Sequence, residues 1–198
     1  MNFPEPDNSQ KQRLISILRN HDWFMDALNE VNKLKMTQWC IGAGIIRNIV
    51  FDYLQGITNP SIRDVDVAYY NPEDLSETRD KEYESILNKN MPEIPWEVTN
   101  QAGVHLWYHK IFGYKVDPII SIEDAVSTWP ETCTSIGITI TKVGKMEVLT
   151  PFGLDDLFGM IIRRNPRRID IRTYNERIHK KKYSQTWKSV KIFHEPIS

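Results

Sequence analysis

Apolar residues recur along this chain at two spacings, every three to four positions and every second position, and the alternation between them outlines the elements. Leu14, Ile15 and Leu18 form one helical stripe, and Phe24, Leu28, Val31 and Leu34 another. Residues 10–35 are therefore expected to be helical, divided if His21-Asp22 breaks the run with Asp22 as an N-cap. Thr37 to Ile41 reads as a short strand. After Gly42-Ala43-Gly44, the residues Ile45, Ile46, Ile49, Val50, Tyr53 and Leu54 keep helical spacing, with Arg47, Asn48, Asp52 and Gln55 on the polar side and Gly56 as C-cap. From Ile62 to Tyr70 the period becomes two: Val65, Val67 and Tyr69 point one way, Asp64, Asp66 and Ala68 the other. Residues 76–90 suit a polar helix. Ile94 to Thr99 is a further strand, with Trp96 and Val98 opposite Glu97 and Thr99, and Pro95 places it at an edge or gives it an irregular start. Ser121 to Trp129 is expected as a short helix in which Ser121 and Asp124 resemble a capping box. Residues 135–141 and 145–150 form a hairpin closed at Val143-Gly144. Residues 153–163 and 170–182 read as helices.

Strands and helices mix without regular βαβ alternation, so the class is α+β: one mixed sheet flanked by helices, with a basic helical C-terminal portion. The length of 198 residues allows one domain. The expected division is a loose segment at 1–9, a main domain at 10–162 and a C-terminal extension at 163–198 packed on the same body. No apolar run reaches the ~18 residues a membrane-spanning helix needs, and MNFPEPDNSQ lacks the basic and apolar regions of a secretory signal. Cys40 and Cys133 stand far apart in no metal-ligand spacing, so the expected setting is reducing and cytoplasmic.

The net charge of −1 conceals a sorted chain. Residues 163–191 hold 11 Lys/Arg and two acids, a balance of +9, which leaves −10 for the rest. Such sorting suits a basic surface that faces a phosphate-bearing ligand or an acidic part of the same protein; a solvated basic helix has the same composition. The arginines at 163, 164, 167 and 168 are expected at the rim of an acidic cleft and to matter more for substrate than the lysines at 180–182, which suit a helix C-terminus.

The candidate chemistry lies between Gly42 and Tyr70. On a strand, Asp64 and Asp66 share one face, ~7 Å apart at Cα. Two carboxylates so placed repel unless a cation stands between them, and hard oxygen donors select Mg²⁺ or Mn²⁺. Two acids on a solvated sheet face give the same pattern with no metal. The glycine turn lets backbone N–H groups approach an anion at a helix N-terminus, or is simply a tight strand-to-helix turn. No Walker loop occurs in the chain.

Together these elements are more specific. The run GAGIIRN…LQG…RDVDV resembles the catalytic core of the DNA polymerase beta superfamily of nucleotidyltransferases, and especially the head of CCA-adding enzymes and poly(A) polymerases. The segments PWEVTNQAGVHLW, DAVSTWPETCTSIGI and PFGLDDLFGMIIRRNP extend the resemblance, from about residue 11 to 193, to a family of small bacterial nucleotidyltransferase-like proteins of unassigned substrate. The chain departs from the usual pattern in Ala43, in Asn48 where CCA-adding enzymes have Asp, and in a Glu for the third carboxylate.

The resemblance implies transfer of a nucleotidyl group from a nucleoside triphosphate with Mg²⁺ or Mn²⁺. Asp64, Asp66 and Glu97 would be catalytic and hold the metal; Asp117 and Glu147 are alternatives to Glu97. Gly42, Ala43 and Gly44 would cradle the triphosphate, with Arg47 and Arg63 at the phosphates. Asn100, Gln101 and His105 would line the substrate pocket, and His109 is a weaker candidate. Asp155 and Asp156 suit a helix N-terminus, and Trp129 and Trp187 suit packing. A small molecule or protein is favoured over RNA as acceptor, because little chain remains for an RNA-binding body, and no membrane partner is expected. The alternative is a non-catalytic nucleotide- or protein-binding module, antitoxin-like, on the same fold.

Overall fold

A computed structural model describes residues 8–58 and 62–196. Two helices, α1 (Asn8–Arg19) and α2 (Asp22–Lys33), precede β1 (Trp39–Gly42), α3 (Gly44–Gln55) and β2 (Val65–Tyr69). Then follow α4 (Glu77–Asn90), β3 (Trp96–Asn100), α5 (Val104–Phe112), α6 (Ile122–Val126), β4 (Gly137–Ile140) and β5 (Met146–Leu149). The chain closes with α7 (Asp155–Phe158), β6 (Ile161–Ile162), α8 (Ile171–Lys181), α9 (Tyr183–Thr186) and β7 (Lys191–Ile192). The main sheet has the order β3-β2-β1-β4-β5. β3 runs parallel to β2 and the other pairs are antiparallel, so the fold is α+β with a mixed sheet and β3 at an edge.

The alternation read from the sequence sorts the two faces. Trp39, Ile41, Val65, Val67, Trp96, Val98 and Ile138 belong to the main core, where α1 to α4 bury Leu14, Phe24, Leu28, Ile46, Phe51 and Leu87. Burial of such side chains contributes ~1.5–3 kcal/mol each. On the other face, Cys40 and Ala68 pack under Ile122, Ala125 and Val126 of α6. α6 covers only part of that face. The Ser121 hydroxyl caps it by accepting from Asp124 N–H at 3.1 Å, while the Asp124 carboxylate accepts from Ile120 N–H at 3.0 Å.

Four expectations need correction. His21, in extended backbone, is the N-cap of α2, and Asp22 is already helical. Asn8 and Ser9 belong to α1, so of the expected loose terminus only 1–7 remain, and these lie outside the described residues. The expected helix at 153–163 spans only Asp155–Phe158: Met160 turns to φ 52°, and β6 then pairs in parallel with β7, a partner some thirty residues later. Finally, α5 has no counterpart among the expected elements.

The basic C-terminal portion is tied to the same body. Glu131, fully buried, accepts from Arg177 Nε (2.5 Å), Tyr183 Oη (3.0 Å) and Thr134 Oγ1 (2.8 Å). The Trp187 indole donates to Asp52 Oδ1 at 2.7 Å, and its ring meets Phe51 edge-on.

Candidate active site

The uncovered part of the second sheet face opens into a cavity of ≈ 1040 Å³. Its floor carries Asp66 and Glu97, which are register partners on β2 and β3, so that both carboxylates leave the sheet on one side. Burial, then the charges of Glu97 and Asp64, push the Asp66 carboxyl up to about 7, against the pull of Arg177 and Lys181. An acid destabilised this way gains from any cation that enters. Asp64 is exposed, one residue before β2, and does not line the cavity. Among the described residues no three His, Cys, Asp or Glu side chains stand close enough to hold a metal by themselves.

One wall is aromatic and the other cationic. α5 supplies Val104, Trp107, Tyr108, Ile111 and Phe112, followed by Tyr114. These rings pack on one another, Tyr108 and Phe112 at 4.3 Å between centroids, and Arg168 lies over Tyr108 at 5.4 Å. From α8 come Arg172, Glu176, Arg177, Lys180 and Lys181.

A sequence profile of nucleotidyltransferases matches residues 29–192. The chain belongs to the nucleotidyltransferase family. Among solved structures it is similar to an NMR structure described as a CCA-adding enzyme head domain, with a TM-score of 0.79 at 24% identity over 93% of this chain and 96% of that one. A tRNA-processing enzyme in an apo form aligns at 12% identity with a TM-score of 0.49, over 97% of this chain and 46% of the other. No curated protein matches the chain. The nucleotidyltransferase fold expected from GAGIIRN…RDVDV is the one observed.

Of the residues expected at the site of this nucleotidyltransferase, Asp66, Glu97, Ala43 and Gln101 line the cavity. Several others lie elsewhere. Asn100 falls on the core face by the period of two and is buried; its side chain clamps the following loop, donating to the carbonyls of Asn71 (2.7 Å) and Asp74 (2.8 Å) and accepting from Asn71 and Ala102 N–H. His105 is turned off the cavity, its Nδ1 buried without a hydrogen-bond partner. His109 is exposed and also off the cavity.

Arg47 is 4% exposed. It donates to Asn48 Oδ1 and lies over the rings of Tyr183 (4.7 Å) and Trp187 (5.2 Å), so it holds the C-terminal helices rather than lining the cavity. Arg63 is exposed beside Asp64, and its charge acts on Asp52. Gly42 is a packing glycine: a Cβ there would come within 2.6 Å of both the Trp129 ring and the Ile136 carbonyl. Ala43 N–H is bonded to that same carbonyl, and Ala43 adopts φ 57° at the start of α3.

Neither alternative to Glu97 lines the cavity. Glu147 lies on β5, at the far edge of the sheet, and Asp117 is on the exposed stretch between α5 and α6. Asp155 accepts from Gln10 and Asp156 from Arg163.

The basic residues are distributed differently from the expectation. Arg163, Arg164 and Arg167 pair with Asp156, Glu195 and Asp124, and of that cluster Arg168 alone lines the cavity, where α8 supplies the remaining cations. The aromatic wall was also missed, although Val104, Trp107, Tyr108, Ile111 and Phe112 fall at helical spacing in the sequence.

Proposed function

We propose that this nucleotidyltransferase moves a nucleotidyl group from a nucleoside triphosphate, with Mg²⁺ or Mn²⁺, to a hydroxyl of a small-molecule or protein acceptor. The observation that carries this reading is the Asp66–Glu97 pair, side by side in register on the floor of an open cavity. The donor set fits a divalent ion: Mg²⁺ is commonly bound by one or two carboxylates together with substrate phosphates, so two acids suffice without a third protein ligand. Burial and the repulsion of Glu97 and Asp64, which together raise the Asp66 carboxyl, support the same fit. Asp66 and Glu97 would hold the ion, with Asp64 adding charge from the strand end. When bound, the ion neutralises charge on the phosphates.

The acceptor oxygen forms a bond to the α-phosphorus as the bond to the bridging α–β oxygen breaks, and pyrophosphate leaves. Glu97, exposed at the cavity floor, takes the proton of the acceptor hydroxyl. The aromatic wall excludes water from one side and offers faces on which a base stacks. Positioning and charge neutralisation supply the rate enhancement.

The test is a screen of the four triphosphates with Mg²⁺ or Mn²⁺, following pyrophosphate release and label transfer. Asp66→Asn should abolish both transfer and the metal–nucleotide gain in melting temperature that wild type shows. Glu97→Gln should lose at least ~100-fold in transfer, the range of a lost proton acceptor, while keeping much of the nucleotide affinity. Normal turnover in either variant refutes the assignment.

A further inference from the structure

The cations of residues 163–191 separate into two groups by their partners. Arg163, Arg164, Arg167, Arg172 and Arg177 each lie within ion-pair distance of a carboxylate. The other six take part in none of the ion pairs among the described residues. Of these, Arg168, Lys180 and Lys181 line the cavity that holds Asp66 and Glu97; Arg168 lies over the Tyr108 ring, and the charge of Lys181, like that of Arg177, is felt at Asp66. The helix macrodipole favours cations at the C-terminus of α8, which accounts for positive charge there but not for the side on which it falls. Lys182 shows the difference: next in the chain and in left-handed backbone, it lines a separate cavity with Tyr183 and His194.

At the glycine turn, Gly42 and Ala43 offer a phosphate little by comparison. Ala43 N–H is already bonded to Ile136 O at 3.1 Å, the space beside Gly42 is filled by Trp129, and Arg47 is buried among aromatic rings.

We propose that the phosphate tail of the nucleotide seats on Lys180 and Lys181 of α8, beside Arg177. This rests on the nucleotidyltransferase reading above for the identity of the ligand; the seat itself requires only an oligophosphate. Ammonium groups on flexible stems carry three donors each and adapt to non-bridging oxygens. Arg177, held by Glu131, supplies a fixed charge next to them.

The probe is inorganic tripolyphosphate in metal-free, chelator-containing buffer, titrated by calorimetry into wild type, Lys180→Gln/Lys181→Gln and Lys182→Gln. A charge-assisted contact is worth roughly tenfold or more in affinity. The double variant should therefore bind at least ~10-fold more weakly, while Lys182→Gln, one charge removed at the same helix end, should change by less than about twofold. Equal weakening in both variants would mean that net charge alone is responsible and would overturn the seat, as would wild-type affinity in the double variant or no binding by wild type. Both substitutions are at exposed positions, and unchanged melting temperatures confirm the fold. Transfer activity of wild type reads the function separately: no transfer from any of the four triphosphates with Mg²⁺ or Mn²⁺, with tripolyphosphate binding governed by the lysine pair, refutes the function and leaves the seat standing.

Discussion

Replacing Glu131 by Gln keeps its shape and removes its charge, and the surroundings make that change costly. The carboxylate is fully buried and receives donors from Arg177, Tyr183 and Thr134. A Gln amide would turn one NH₂ toward those donors and leave Arg177 without its counter-ion. Removing one member of a buried ion pair costs ~3–5 kcal/mol. The Arg177 side chain is 30% exposed and can rehydrate, so the lower end applies, about 3 kcal/mol, or ~6–12 °C in melting temperature for a chain of this size.

The pH dependence tests the cause. Burial pushes the Glu131 carboxyl up, but the charge and hydrogen bond of Arg177, with Arg47 and Thr134, hold it below its ordinary value of 4.5. A folded value below the unfolded one means that the stabilisation is complete above ~pH 6 and is lost as pH falls through the folded value. Chemical denaturation of both proteins across pH should show a constant gap above ~pH 6 that narrows below the ordinary carboxyl range. A loss under ~1 kcal/mol, the scale of a surface pair, or a gap unchanged on acidification would refute the anchoring role.

Two further outcomes follow from packing. Gly42→Ala should destabilise by ~1–3 kcal/mol in denaturant titration, as overpacking against a backbone carbonyl and a Trp ring; unchanged stability would show that Trp129 moves freely. Trp187→Phe keeps an aromatic ring but strips the buried Asp52 of its indole donor, and should cost ~1–3 kcal/mol in the same assay, with no loss expected if water replaces the indole.

What was legible in the sequence was local. The period of two fixed which face Asp66 and Glu97 share, and Pro95 marked β3 as an edge strand, because both depend on neighbours within a few residues. The same parity, applied one position further, excludes Asn100 from the cavity, since it follows Trp96 and Val98 on the core side. The roles of Arg47 and Gly42 were not legible: each is set by an aromatic ring distant in the chain, Tyr183 and Trp187 for one and Trp129 for the other. The arginines at 163, 164 and 167 looked like ligand-binding cations for the same reason, their carboxylate partners lying at the distant positions 156, 195 and 124. The helix expected at 153–163 ends early because β7, not any nearby residue, claims the chain after Met160. α5 was readable by spacing, but its stripe faces a cavity rather than a core.

The two signs of charge in the cavity come from parts of the chain with different dependence on the sheet. Asp66 and Glu97 belong to paired strands, whereas the α8 cations are held through Glu131, and Asp52 and Arg47 secure the segment that follows. Those side chains do not hold the segment alone, because Tyr174, Ile178, Tyr183 and Trp187 lie in the main core. The segment 170–187 is thus an electrode welded to the body: the site keeps both polarities until the core they share opens.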